Sequence, residues 1–319
     1  MQYTTLGRTG LKVSVAGLGG GGSSRLGIGR GGKAHASNMV RAALDLGINL
    51  IDNARGYGTE EAVGDALFGI PRDTYLLTTK HLTIVDGKTL TPDEFVAGFN
   101  QSLRELRTDY VDVFYIHGLN LARWDHAIND VLPVLLREKE KGKFRFLAMS
   151  ESPNQEPLHD ATVRGLDEDL FDVIMLAFSL MNQNARELVF PKTLKQRVGT
   201  MLMFVVRDIF SHPEMLRDTI KTLAAEGKVP SHLVGKDNPL DFLIHANGGA
   251  RDILDAAYRY GRHEPGTDVV LFGTGSPEHL KSNVASILAP PLPETDRAKV
   301  RELFSHLVGV GLENWRAAR

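Results

Sequence analysis

Short apolar runs recur along the chain, and most are followed by a stretch with helical periodicity. The eight runs that predict strands are Val13–Leu18, Asn49–Asp52, Tyr75–Thr79, Val111–Ile116, Phe144–Met149, Val173–Phe178, Met201–Val206 and Val269–Phe272. Most of them are mixed or continuously apolar rather than alternating, which is typical of strands covered on both faces. Apart from the longer gap before Val269, successive strands begin about 26 to 36 residues apart, the length of one strand–helix unit.

Polar residues and glycines mark the ends of the predicted helices. These helices span Asn38–Leu46, Glu94–Leu106, Asp125–Lys141 and Glu214–Ala225. Ser37 is the predicted cap of the first helix, and the glycine-rich, aperiodic segment Ser23–Lys33 before it is predicted to be a loop. Residues 1–12 predict a hairpin that turns at Gly7–Gly10. Residues 295–309 predict an extra amphipathic helix outside the repeat.

Eight strand–helix units favour a closed barrel over an open, doubly wound sheet. We therefore expect an α/β protein with a (β/α)8 TIM barrel, an N-terminal hairpin and an extra C-terminal helix. No linker, low-complexity segment or block of charge divides the 319 residues, so residues 1–319 are predicted to form a single domain. In such a barrel the active site lies at the carboxyl ends of the strands.

The composition of the chain argues against several classes of function. The formal charge of −2 gives no reason to expect a nucleic-acid or anionic-membrane partner. The chain has no cysteine, which excludes disulfides and thiol nucleophiles and fits a cytoplasmic location. The N-terminus lacks the features of a signal peptide, and the longest apolar runs are about six residues, far short of a membrane span. Its 11 histidines follow no metal-binding spacing, so no metal is expected.

Two glycine motifs resemble nucleotide-binding loops but lack the context that these loops need. Gly17–Gly22 fits G-x-G-x-x-G, yet no helix is predicted to open directly after it. Gly27–Lys33 fits G-x-x-x-x-G-K, but Ala34 follows where a magnesium-binding hydroxyl is required. We interpret both as parts of a ligand-contacting or mobile loop after the first strand.

Chemistry-bearing residues follow three consecutive predicted strands. Asp52 ends the second strand, Lys80 the third and His117 the fourth, and Tyr57 lies on the loop just after Asp52. Each residue alone has an ordinary explanation as a cap, a surface cation or a packed ring. Because all four fall at the same end of one barrel, we predict that they form one catalytic group.

These four residues suit proton transfer to a carbonyl oxygen. A lysine ammonium beside the phenol is expected to lower the tyrosine pKa from about 10, and a carboxylate would keep that ammonium charged. Histidine can hydrogen-bond the carbonyl oxygen and orient it. Since no side chain supplies hydride, the arrangement implies a nicotinamide cofactor.

At these residues the chain resembles the aldo-keto reductase family over nearly its whole length. The similar segments are Gly7–Ser14, Gly47–Asp52 with Tyr57-Gly58, Gly142–Arg145 with Ser150, and Gly273–Leu280 with Asn283. The resemblance implies an NAD(P)-dependent oxidoreductase that interconverts an alcohol and an aldehyde, ketone or sugar. It makes Tyr57 the proton donor, with Asp52, Lys80 and His117 as its partners.

The resemblance also implies the cofactor contacts. These are Gly19, Gly20, Asp52, Ser150, Met175, Phe204, Arg207, Gly273, Thr274, Gly275, Ser276, His279 and Asn283. Glu151 and Met175 depart from the Asn and Gln that usually hold the carboxamide. Gly273 and His279 stand where basic residues usually bind the 2′-phosphate, so both NADP(H) and NAD(H) remain candidates.

Substrate contacts are expected from Tyr57, His117, Arg55, Asn120 and Trp124. The substrate would be a small carbonyl compound or a sugar. A non-catalytic cofactor-binding sensor or regulatory subunit on the same barrel is the main alternative, motivated by the weakened carboxamide contacts. Schiff-base chemistry at Lys80 is a third option, which Asp52 disfavours because it keeps the amine charged. Oligomeric state is left open.

Overall fold

Eight parallel strands close into a barrel in the computed structural model, which describes residues 1–312. The strands of the chain are β1 Tyr3–Thr5, β2 Lys12–Ser14, β3 Ala16–Gly19, β4 Leu50–Asp52, β5 Leu76–Leu82, β6 Ile84–Val85, β7 Lys88–Thr89, β8 Val111–Leu119, β9 Phe144–Glu151, β10 Val173–Ala177, β11 Gly199–Met203 and β12 Val269–Phe272. The barrel order is β3-β4-β5-β8-β9-β10-β11-β12, and β12 pairs with β3 through Val270 and Ala16. The predicted (β/α)8 barrel is therefore confirmed.

Two apolar layers hold the barrel together. Inward-facing side chains fill its centre, among them Leu50, Val113, Met201 and Leu271. A larger layer lies between the strands and the surrounding helices. Because side chains alternate along each strand, neighbouring residues face these two layers in turn.

The N-terminal hairpin covers the amino end of the barrel. β1 and β2 pair antiparallel, as predicted, and Leu6 in their turn is completely buried. Leu6 packs on Gly199, where an added Cβ would come within 2.9 Å of Leu6 Cγ. The predicted strand Val13–Leu18 is divided in the structure, because its first residues belong to the hairpin strand β2 and its last to the barrel strand β3.

Helices follow the barrel strands and cover the outside of the barrel. They are α1 Ile28–Asp45, α2 Glu60–Leu67, α3 Pro92–Glu105, α4 Leu121–His126, α5 Leu132–Glu140, α6 Asp160–Asp167, α7 Ala185–Leu188, α8 Phe190–Gln196, α9 Asp208–Ser211, α10 Pro213–Ala225, α11 Ile253–Arg262, α12 Pro277–Leu288 and α13 Glu294–Phe304. α13 confirms the extra C-terminal helix, although it ends five residues before the predicted limit. Within residues 1–312, no helix is long and apolar enough to cross a membrane.

The segment after β3 differs most from its prediction. Ser23–Lys33 was expected to be a loop, but it contains a 3-10 turn at Arg25–Gly27 and the first turn of α1. Gly32, at φ 69° and ψ −172°, breaks α1 and hides its periodicity. Ser37 is therefore not a cap: it lies inside α1, where its hydroxyl donates to the Ala62 carbonyl of α2 at 2.8 Å.

The helix after β8 also begins earlier than predicted. Its first residue is Leu121 rather than Asp125, because the Asn120 side chain accepts a hydrogen bond from the Arg123 amide at 3.1 Å. A π-helical segment, Ala127–Val131, joins α4 to α5.

Candidate active site

A buried ion pair lies at the carboxyl ends of β4 and β5. Lys80 Nζ donates to both carboxylate oxygens of Asp52, at 2.7 and 2.6 Å, and to the Asn53 carbonyl at 2.8 Å. The Thr78 hydroxyl donates to the same carboxylate at 2.6 Å. Lys80 is 1% exposed and Asp52 is 3% exposed, so water cannot replace these partners.

Tyr57 lies directly beside this ion pair. It belongs to a 3-10 turn, Arg55–Tyr57, that follows β4. The centre of its ring is 5.2 Å from Lys80 Nζ and 5.7 Å from the centre of the His117 ring, which it meets edge to face. The structure therefore brings together the four side chains that the sequence singles out.

Burial outweighs the ammonium in setting the pKa of Tyr57. Desolvation raises the pKa of the phenol above 10, while the charge of Lys80 and its hydrogen bond act in the opposite direction. Lys80 lowers the phenol pKa, as the sequence predicts, but burial raises it by more. At neutral pH Tyr57 holds its proton, which is the form required of a proton donor.

The neighbouring groups have defined charge states. Burial disfavours the ammonium of Lys80, but Asp52 and Tyr57 together raise its pKa above 10.5. Burial and the nearby Lys80 charge lower the pKa of His117 to about 3, so this imidazole is neutral at physiological pH. Among residues 1–312 no group of three or more His, Asp or Glu side chains is arranged to bind a metal ion.

Ser150 and Met175 occupy paired positions on β9 and β10. The Ser150 hydroxyl accepts a hydrogen bond from the Gly118 amide, next to His117, at 3.0 Å. Met175 lies in the apolar interior of the barrel and offers no strong hydrogen-bonding atom. Glu151 contacts the Ala177 amide at 2.7 Å and the His159 ring at 2.6 Å, so its carboxylate is committed to these partners.

Glycines line the rim on the other side of Tyr57. Gly19 ends β3, and a Cβ on Gly20 would come within 3.0 Å of the Asn53 side chain. A Cβ on Gly273 would lie 3.2 Å from the Gly19 carbonyl and 3.3 Å from the Gly21 carbonyl. A side chain at Gly20 or Gly273 would therefore collide with its neighbours, so glycine lets these loops pack closely at the rim.

The turn after β12 leads directly into α12. Ser276 caps this helix by accepting a hydrogen bond from the His279 amide at 3.3 Å, and Thr274 is buried. His279 is exposed and Asn283 is partly exposed one helical turn later. After β11, the guanidinium of Arg207 stacks 4.0 Å from the centre of the Phe204 ring. The predicted cofactor residues thus lie on or after β3, β4, β9, β10, β11 and β12, which adjoin in the barrel.

Three predicted substrate contacts are not supported by the structure. Trp124 is 1% exposed and packs under Arg164, in the layer outside the strands. Asn120 caps α4 and donates to Gln155, so its amide is already committed. Arg55 pairs with Glu105 of α3 at 2.8 Å. All three were assigned from their positions after strands, which do not reveal where a side chain points.

Three residues near the site were not singled out from the sequence. A Cβ on Gly21 would come 2.5 Å from Tyr57 Cζ, so this glycine lets the loop lie against the phenol ring. Tyr115 lies beneath the site, with its ring centre 5.7 Å from Lys80 Nζ. His35 contacts the Gly275 carbonyl at 2.8 Å and joins α1 to the turn after β12. Because side chains alternate along a strand, Tyr115 lies on the same face as His117 and could have been identified from the sequence. No sequence pattern identifies His35.

Known proteins resemble this chain in sequence and in fold. The model of the Aldo/keto reductase family matches residues 17–304. An aldo-keto reductase of Bacillus subtilis is 24% identical over 330 aligned positions, covering 97% of this chain and 95% of that protein. An L-galactose dehydrogenase of Arabidopsis thaliana is 32% identical over 160 residues, covering 48% of this chain and 49% of that protein.

A methylglyoxal reductase of Salmonella typhi is 33% identical over 118 residues, covering 35% of this chain and 40% of that protein. This chain therefore aligns with less than half of that relative's length. Among solved structures, the holo form of an aldo-keto reductase from Bacillus halodurans superposes with a TM-score of 0.71 at 22% identity, covering 95% of this chain and 96% of that one. Because the family model spans most of the sequence, this protein belongs to the aldo/keto reductase family and is an oxidoreductase.

Proposed function

We propose that the protein is an NAD(P)-dependent oxidoreductase that interconverts a small carbonyl compound and its alcohol, with Tyr57 as general acid and base. The observation that carries this proposal is the placement of a protonated phenol beside a buried ammonium and a neutral imidazole. In reduction, the Tyr57 hydroxyl gives its proton to the carbonyl oxygen. In oxidation, the same oxygen takes a proton from the alcohol.

Lys80 and His117 prepare the site for that proton transfer. The ammonium of Lys80 stabilises negative charge on the phenol oxygen after the proton leaves. Asp52 keeps this ammonium charged and fixes its position through two short hydrogen bonds. Neutral His117 can donate a hydrogen bond to the carbonyl oxygen without adding a second charge to the pocket.

The rim residues fit a nicotinamide dinucleotide. The Ser150 hydroxyl would hold the carboxamide, and the pyrophosphate would lie at the start of α12, which follows Gly273 and Gly275. His279 and Asn283 lie on the part of α12 that would meet the adenosine. When bound, the cofactor supplies the hydride that no side chain can supply.

The carboxamide contacts are sparse, because Met175 cannot replace an amide and Glu151 is bound elsewhere. Nothing at Gly273 or His279 carries a permanent positive charge, so we expect weak discrimination between NADP(H) and NAD(H). The relatives named L-galactose dehydrogenase and methylglyoxal reductase suggest sugars and small aldehydes as the first substrates to test. A cytoplasmic location stays a prediction.

Fluorescence titration with NADPH and NADH separately tests the cofactor assignment. Candidate aldehydes, ketones and sugars are then added to the tighter complex, and oxidation of the cofactor is followed by absorbance. We expect saturable binding of at least one cofactor and turnover of at least one carbonyl compound. Failure to bind either cofactor would contradict the proposal.

The sparse carboxamide contacts favour one second candidate, a cofactor-binding sensor without catalysis. This candidate predicts binding with no turnover across the whole panel, in either direction. The ordered arrangement around Tyr57 favours the enzyme, because a sensor has no need of a proton donor beside a buried ion pair. The same titration and turnover assays therefore separate the two functions.

A further inference from the structure

Four side chains meet on the outer side of the barrel wall behind Tyr57, and we name them the outer cluster: Arg55, Glu60, Thr79 and Glu105. Thr79 Oγ1 donates to Glu60 Oε1 at 2.6 Å. Arg55 Nη1 donates to Glu105 Oε1 at 2.8 Å and lies 3.9 Å from Glu60 Oε2. Glu60 is 1% exposed and is shielded from water, whereas the Arg55 and Glu105 side chains are 32% and 20% exposed.

The outer cluster joins the two backbone segments that carry the proposed proton donor and its ammonium. Arg55 begins the 3-10 turn that ends at Tyr57. Thr79 precedes Lys80 on β5, and because strand side chains alternate, it faces the helices while Lys80 faces the pocket. Glu60 therefore lies between a residue next to Lys80 and a residue in the Tyr57 turn.

The Tyr57 ring packs against Gly21 and the His117 ring, but the backbone of the turn is intrinsically flexible. Gly56 is exposed, with open space where a Cβ would stand, and Gly58 has a φ of 70°. The backbone contributes a hydrogen bond from the Tyr57 amide to the Ala54 carbonyl at 3.0 Å. Because a glycine lies on each side of Tyr57, this backbone would move readily without a side chain to anchor it.

The charge of Arg55 complements two carboxylates. Burial raises the pKa of Glu60, and hydrogen bonds from Thr79 and Ser102, followed by the charge of Arg55, oppose that effect. Glu60 Oε2 lies 3.9 Å from the guanidinium. Arg55 thus bridges two carboxylates, one on α2 and one on α3, and Gln101 supports the second by donating to Glu105 at 2.8 Å.

We propose that Arg55 is a positioning residue, which holds the Tyr57 turn against Glu60 and Glu105 and so sets the distance from the phenol to Lys80. The kinetic tests of this proposal rest on the proposed function, because they measure turnover. This role differs from the expectation that Arg55 binds substrate. A positioning arginine affects kcat, because it holds the Tyr57 turn against its carboxylate partners, whereas a substrate-binding arginine affects KM.

Three single variants and one double variant test this role by kcat, KM and cofactor Kd. In Arg55→Ala we expect kcat to fall about 10-fold to 100-fold, since a displaced catalytic group costs that much, while KM and Kd change less than about threefold. Arg55→Lys should recover part of the loss by pairing with Glu105. Glu105→Gln should lower kcat in the same direction, and adding it to Arg55→Ala should cost little more.

A substrate-binding arginine gives the opposite pattern. It predicts a raised KM with unchanged kcat in Arg55→Ala, and no effect of Glu105→Gln; either result would overturn the proposal. Glu94→Gln is the matched control, because it removes another α3 carboxylate from an exposed pair with Lys88. If Arg55→Ala does not fold, Glu105→Gln and Arg55→Lys still carry the test.

Hydrogen exchange keeps this inference separate from the proposed function. Amides of residues 53–60 should exchange faster in Arg55→Ala than in the wild type or in Glu94→Gln, while β5 stays protected. This readout needs no substrate, so it applies even if the wild type turns over nothing. Unchanged exchange in residues 53–60 would overturn the anchoring role.

Discussion

Replacing Asp52 with Asn tests whether Lys80 is held as a buried ammonium. The substitution keeps the shape of the side chain but removes the charge that two short hydrogen bonds from Lys80 satisfy. Removing one partner of a buried ion pair costs about 3–5 kcal/mol, because the other charge is left without compensation. Both residues are at most 3% exposed, so the full range applies and we expect that loss at pH 6.

The free energy of unfolding lost in Asp52→Asn should decrease as pH rises. In the wild type the pKa of Lys80 is raised, so between pH 6 and pH 9 the amine is charged in both the folded and the unfolded chain and contributes no pH dependence. In Asp52→Asn, burial without a counterion lowers the folded pKa below the unfolded one. The unfolded chain then binds more protons, and stability rises with pH by up to about 1.4 kcal/mol per pH unit.

Urea unfolding of both proteins at pH 6, 7, 8 and 9 measures this difference. Asp112→Asn is the matched control, because Asp112 is also buried but pairs with Arg72 and Arg145, which stay charged throughout this range. The free energy of unfolding lost in Asp112→Asn should not change with pH. If Asp52→Asn loses the same free energy at pH 6 and pH 9, or less than about 1 kcal/mol at pH 6, the account of Lys80 is refuted.

Three further predictions concern residues of the proposed active site. Ser150→Ala should weaken cofactor binding about 10-fold in a fluorescence titration, whereas Ser152→Ala, which removes a hydrogen bond to the same Gly118, should not; equal affinities would contradict the carboxamide assignment. Gly21→Ala should lower kcat, because its Cβ would displace the Tyr57 ring, while Gly29→Ala, which meets open space, should not. Reduction of a non-ionising carbonyl compound should show no inflection near pH 6.5, since burial lowers the pKa of His117 to about 3; an inflection that His117→Gln removes would refute this.

The barrel could be predicted because each strand has a local signature. Buried parallel strands are apolar on both faces, and their regular spacing indicates the repeat before any contact is known. Helix limits were harder to predict where glycine intervenes. The break at Gly32 places a helical turn in a segment whose composition resembles a loop, and the cap at Asn120 depends on a side-chain rotamer.

The grouping of the proposed catalytic residues was predictable for a different reason. Asp52, Lys80 and His117 lie near the carboxyl ends of adjacent strands, and topology alone brings adjacent strand ends together. No comparable rule predicts the direction in which a side chain on a loop or helix points. Arg55 therefore turned out to face Glu105, and the phenol pKa of Tyr57 depends on burial that no spacing reveals.

The most direct test of the central claim is turnover by Tyr57→Phe. This substitution removes the proposed proton donor and leaves its ring, so kcat for carbonyl reduction should fall at least about 100-fold while cofactor Kd changes less than about threefold. Tyr3→Phe, which alters a phenol bonded to Gly47 in the N-terminal hairpin, should behave like the wild type. Wild-type turnover in Tyr57→Phe would contradict the assignment of Tyr57 as general acid.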